Sequence, residues 1–157
     1  MKVIISDIDI KNKVAKDDIL IVPNSEYKNC IGCFACWIKT PKHCILNDGI
    51  NNMGEVLLKA DELVLISKNV YGCYSSFVKM VLERSIGYVE PYFTLRNGEI
   101  HHLSRTDKKL DFTVNIYGKT EKTDRALLRR LAIANMNNIN TNIPDIRFLK
   151  KWEDVVL

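Results

Sequence analysis

The sequence predicts an α/β fold on a parallel sheet, and three observations predict it. Lys2–Ser6 (KVIIS) and Ile19–Val22 (ILIV) are continuous apolar runs, the pattern of short strands buried on both faces. Strand-like and helix-like segments alternate along the chain, which argues for parallel strands joined by crossovers and covered on both faces. Residues 1–157 carry no internal repeat, low-complexity stretch or linker and are enough to bury one core, so a single domain is expected.

The first run opens the sheet and the second follows after residues 7–18, barely a minimal crossover. The segment after Val22 is then a loop at a strand's C-terminal end. Asp48 reads as a helix N-cap, with Ile50, Met53 and Leu57 stacking toward Ala60. Glu62–Ile66 (ELVLI) is the third strand. SSFVKMVLERSI forms a helix with Phe77, Val78, Val81 and Leu82 on its apolar face, and with Lys79, Glu83 and Arg84 off it in solvent. Pro91 breaks the chain, and Asn97-Gly98 makes a turn between short extended pieces. Asp111–Tyr117 (DFTVNIY) is the fourth strand. Thr120 or Thr123 caps a helix through RALLRRLAIANM, Ile146–Leu149 supplies a fifth strand, and Trp152 is expected to pack.

Composition narrows the function classes. Apolar residues make up 46% and charged residues 27%, as in soluble globular domains. A net charge of +4 without a Lys/Arg block gives no support for a nucleic-acid partner. The apolar run Val3–Ile5 is too short for a signal peptide, and no segment approaches the roughly 18 apolar residues of a membrane span. A cytoplasmic protein without a membrane partner is therefore expected, in a compartment where disulfides are rare.

In sheets of this kind a ligand sits beyond the C-terminal ends of the strands. That rule selects the loops after Ser6, Val22 and Ser67. The second holds CIGCFACWIKTPKHC, with Cys30, Cys33 and Cys36 at two-residue gaps and Cys44 seven residues further on. Such spacing lets thiolates wrap one face of a metal cluster and is more typical of iron–sulfur than of zinc ligation. Iron–sulfur, zinc and free thiols all stay open. In the third loop, Gly72 permits close backbone approach, Tyr71 and Tyr74 offer flat faces, and amides at the following helix start suit an electron-rich ring. Cys73 reads as a small filler residue.

Together these residues resemble the flavodoxin-like superfamily of NAD(P)H-dependent FMN reductases and iron–sulfur flavoproteins, over roughly Cys30 to Gly118. Cys30, Gly32, Cys33 and Cys36 match that family's C-x-G-C-x-x-C segment, and Gly72, Ser75, Lys79 and Arg84 match its loop and helix after the third strand, with Glu83 for the usual Asp. A narrower branch also shares Trp37, Lys39-Thr40-Pro41, Tyr71-Gly72, Pro91-Tyr92-Phe93, Asn97-Gly98-Glu99 and His101-His102. The resemblance implies a flavodoxin-like doubly wound sheet of about five strands, order 2-1-3-4-5, in three α/β/α layers. It implies FMN held by Ser67, Asn69, Val70, Tyr71, Gly72, Cys73 and Ser75, hydride from a nicotinamide nucleotide or electrons from a redox partner protein, and a homodimer. It also implies Cys30, Cys33, Cys36 and Cys44 as ligands of an iron–sulfur cluster, where one is present.

Three departures stand out. The family's phosphate-binding loop after the first strand is replaced by DIDIKNK, in which Asp7 and Asp9 repel a phosphate and no glycine lets amides converge. Lys68 stands where proline is usual, and Lys42 where glycine is common. The resulting expectation is an FMN-dependent, NAD(P)H-dependent FMN reductase-like oxidoreductase without a compelling general acid or base. The alternative is a degenerate flavodoxin-like binding or thiol/metal-sensing module without flavin. Elsewhere, Gly118-Lys119-Thr120 lacks the upstream glycine of a P-loop. His101 and His102 point to opposite faces of a strand, and Arg129-Arg130 read as a solvated face.

Overall fold

The structure, a computed structural model, describes residues 1–96 and 98–157. The chain runs β1 (Lys2–Ser6), β2 (Ile19–Ile21), α1 (Ala35–Ile38), α2 (Met53–Lys59), β3 (Glu62–Lys68), α3 (Ser76–Arg84), β4 (Val89–Arg96), β5 (Glu99–Ser104), β6 (Asp111–Tyr117), α4 (Lys122–Ile139) and β7 (Asp145–Leu149). It is an α/β fold. Five strands pair in parallel in the order β2-β1-β3-β6-β7, and β4–β5 form a separate antiparallel hairpin. With that hairpin set aside, the strand order is the one expected.

Side chains alternate across the sheet, so neighbouring positions feed two apolar clusters. Val3, Ile5, Leu63, Leu65, Val114 and Ile116 pack with Met53 and Leu57 of α2, Val78 and Val81 of α3, and Leu128 and Ala132 of α4. Ile4, Val64 and Ile66 face the other way, onto Ile10 and Val155, flanked by Val14, Trp152 and Leu157. That second cover comes from the β1–β2 crossover and the last residues, which contain only single 3-10 turns at Lys11–Lys13 and Trp152–Asp154. The expected packing role of Trp152 is met there.

Four local expectations are corrected. The helix begins at Met53 after Asn52, not at Asp48: the Asp48 carboxylate accepts the Ile50 N–H at 3.2 Å in a turn ahead of the helix and is held there by an arginine. Arg84 is that arginine and is 3% exposed, not solvated. The last long helix is capped by Glu121, not by a threonine, with the Asp124 carboxylate accepting the Glu121 N–H at 3.1 Å. Pro91 lies inside β4, where the register slips between Val89 and Phe93 and accommodates a residue without an N–H. Of the expected Asn97-Gly98 turn, Asn97 lies outside the described residues, while Gly98 has φ +81°. Among the described residues, no helix is long and apolar enough to cross a membrane.

Candidate functional site

The loop after β3 is built by its own hydrogen bonds. The Val70 N–H donates to the Cys73 carbonyl and the Cys73 N–H to the Val70 carbonyl, both at 3.0 Å. Between them Tyr71 and Gly72 have φ +52° and +74°, the left-handed pair of a type I′ turn. A Cβ on Gly72 would stand 2.8 Å from Leu127 Cδ1, so glycine serves both the turn and its packing on α4. Asn69 anchors the turn: its Oδ1 accepts from the Gly72 N–H, and its Nδ2 donates to the Lys119 carbonyl and Asp124 Oδ2. Buried Ser67 accepts from the Ser75 N–H at 2.7 Å, and Ser75 Oγ caps α3 by accepting from Val78 N–H. Tyr71 projects into solvent at 96% exposure, whereas Tyr74 is buried. Burial pushes the Tyr74 phenol well up.

The predicted flavin-loop residues are thus contiguous, but most of their amide donors are committed. The N–H groups of Asn69, Val70, Gly72, Cys73 and Ser75 all bond within the protein.

The crevice after β1 is closed to phosphate. Asp7 Oδ2 accepts from the Lys68 N–H at 2.8 Å, and Asp7 Oδ1 from the Tyr117 hydroxyl at 2.9 Å. Burial, then Asp7, drives the Tyr117 phenol upward. The Asp7, Ile8 and Lys11 amides donate to Ile66 O, Ser6 Oγ and Asp9 Oδ1. An FMN phosphate placed here would meet a carboxylate and spent donors, so the residues present do not fit it.

The cysteine segment does not join that crevice. Arg84, at the far end of α3 from the β3 loop, holds it: the guanidinium donates to Lys28 O at 2.6 Å, Leu46 O at 3.3 Å, and both Asp48 oxygens at 2.8 and 2.9 Å. The eight helical rises from Ser76 to Arg84 amount to roughly 12 Å. Burial works against the Arg84 charge, and the Asp48 bonds, then Cys44, more than restore it. Burial also raises Asp48, but Arg84 and the Lys28 and Ile50 amides outweigh it and hold the carboxyl below its ordinary value. Trp37 Nε1 donates to Ile86 O at 2.9 Å, and its ring meets His102, which in turn meets Phe93. His101 turns the other way, toward Asn138.

Lys42, at φ +73°, is clamped between glycines: Cβ atoms on Gly54 and Gly87 would stand 2.5 Å from Lys42 O and 3.1 Å from Lys42 Cα. The glycine common at this position in the resembled family would adopt that backbone freely, and the lysine here bears the strain.

The four thiols are near enough that Cys44, Cys30 and Cys33 all add to the rise in the Cys36 thiol, behind burial as the main cause. Cys36 is buried and Cys33 exposed. Among the described residues, however, no three His, Cys, Asp or Glu side chains stand close enough to hold a metal ion. As arranged, the segment does not fit an iron–sulfur cluster or a zinc ion.

Sequence reasoning misread Arg84 and Asp48 and missed Tyr117. For Arg84 the signal was present: it lies seven residues after Phe77 and three after Val81, on the apolar face. At the Gly118-Lys119-Thr120 loop a cleft of about 330 Å³ opens, but Lys119 is paired with Glu121 and Arg125 with Thr120. Compared with known proteins, the chain matches no family model, and no curated protein is significantly similar to it.

Proposed function

We propose that the chain is a flavodoxin-like redox protein, related to the NAD(P)H-dependent FMN reductases and iron–sulfur flavoproteins, in which the cysteine segment and not a tightly held FMN is the working part. The three-layer plan belongs to this reading, with the second helical layer reduced to the 8–14 crossover and the last residues. The observation that carries it is the commitment of Asp7 to Lys68 N–H and Tyr117 OH at the crevice where FMN phosphate is expected. The parallel sheet in the order β2-β1-β3-β6-β7 supports the kinship.

The thiol/metal-sensing role rests on the grouping of Cys30, Cys33, Cys36 and Cys44 around one buried sulfur, beside a guanidinium. Arg84 tethers both sides of the segment, through the Lys28 and Leu46 carbonyls and Asp48, and so keeps these thiols grouped.

The flavin-dependent reading, with NAD(P)H as donor and a homodimer as the working form, is favoured by one observation: Tyr71 stands exposed on the turn at the C-terminal end of β3, where a ring can stack. The two readings separate on cofactor content after anaerobic purification, with flavin, iron, zinc and sulfide assayed on the acid-released supernatant. A flavin-free protein that binds added FMN no more tightly than riboflavin supports the thiol module. Flavin near one per chain overturns it in favour of the flavoenzyme.

A further inference from the structure

The largest cavity near the cysteine segment lies between α3 and α4. It measures about 470 Å³, within the range of small-molecule sites. Leu63 of β3 lies at its base, near the strand's N-terminal end, and Leu82 and Ile139 line it from the two helices. A side pocket of about 160 Å³, reaching Cys73 and Tyr74, shares Leu82, Glu83 and Asn135 with it. The two form one groove between the helices.

Three features of its lining point to a ligand. Phe34 and Trp37 stack with centroids 5.2 Å apart and planes 17° from parallel, and His102 follows Trp37 at 4.5 Å. This aromatic row favours a flat molecule. Tyr88 OH and Asn135 Oδ1 are buried without a hydrogen-bond partner among the described residues, as is Tyr74 OH in the side pocket. Buried polar atoms of this kind cost stability unless something pairs with them. His102 Nδ1 lies 2.8 Å from Glu90 O, so it donates there and leaves Nε2 as an acceptor in the neutral ring. One exposed carboxylate, Glu83, and one exposed ammonium, Lys79, stand on the lining of the joined groove, so it has no net charge and suits a neutral ligand better than a multiply charged one.

We propose that this groove is a binding site for a small, neutral, bicyclic aromatic molecule with a hydroxyl or N–H on one edge. The rings lie along Trp37 and the apolar walls, and the edge donor bonds to Asn135 Oδ1. Nothing in this depends on whether the protein carries flavin or metal.

The test uses the full chain and 2-naphthol, followed by the anisotropy of the naphthol's own emission excited to the red of tryptophan. Saturable binding is expected, with 2-methoxynaphthalene about three- to tenfold weaker for want of one donor. Asn135→Leu should remove that difference without lowering Tm, because it deletes an orphaned atom. Leu82→Trp should fill the groove and abolish binding, and where it folds poorly Asn135→Leu carries the test alone. Absence of saturation, equal affinity for the two naphthalenes, or discrimination that survives Asn135→Leu each overturns the proposal.

Discussion

Replacing Arg84 by methionine tests the buried ion pair that holds the cysteine segment to α3. The two side chains are 0% and 2% exposed, so neither charge is shared with water. Without the guanidinium, Asp48 keeps only the Lys28 and Ile50 amides, and the Lys28 and Leu46 carbonyls lose a donor. Removing one partner of such a pair costs about 3–5 kcal/mol. At about 2–4 °C per kcal/mol for a chain of this size, Tm should fall by roughly 6–20 °C. Arg84→Met with Asp48→Leu should lose much less than the two single changes added together, since no charge is left stranded.

The pH dependence has a definite sign. The folded Asp48 carboxyl is held below its ordinary value, so its contribution is present above about pH 4 and is lost as pH falls through the lower folded value. The gap between wild type and Arg84→Met should therefore narrow in acid. Urea titrations from neutral to acid pH, read by circular dichroism, measure it. A cost below about 1 kcal/mol, as for a surface pair, or a gap that ignores acid, refutes the reasoning.

Asp7→Ala should cost about 1–3 kcal/mol by leaving Lys68 N–H and Tyr117 OH without an acceptor, and should lower the Tyr117 titration seen by ultraviolet absorbance; an unmoved phenol contradicts the bond. Gly54→Ala drives a methyl into Lys42 O, so it should cost about 3 kcal/mol and speed thiol labelling of Cys44. Gly72→Ala, strained at φ +74° and crowded by Leu127, should lose about 1–2 kcal/mol in a thermal melt. Lys42→Gly should instead stabilise by about 0.5–1 kcal/mol, the relief of left-handed strain less the added chain entropy.

Much of the fold was legible because burial on both faces writes itself as unbroken apolar runs. β1, β3 and β6 are buried at almost every position, and their residues alone announce a covered parallel sheet. The cover on the second face was not legible, because Ile8, Ile10 and Val14 are scattered through an irregular crossover and the apolar run 155–157 is too short to show a period. At the site, the position of the β3 loop was readable, but the state of its donors was not. Whether an amide is free depends on a turn closing on itself and on a side chain such as Asn69 reaching back to Gly72. The course of the cysteine segment was equally hidden. It depends on one arginine within a helix, whose type reads as solvent-facing and whose position on the apolar face says otherwise.

The second face of the sheet has a consequence for how the protein is made. Ile4 and Val155 lie far apart along the chain, yet they belong to one apolar cluster. Lys13 Nζ fastens the arrangement by donating to the carbonyls of Glu153 and Val155. During translation, β1 and β3 can pair and gather α2 and α3 while Ile4, Val64 and Ile66 still await this late cover. The nascent chain therefore carries a sticky sheet surface until Val155 has cleared the ribosome, and it is in that interval that a holdase chaperone has something to bind.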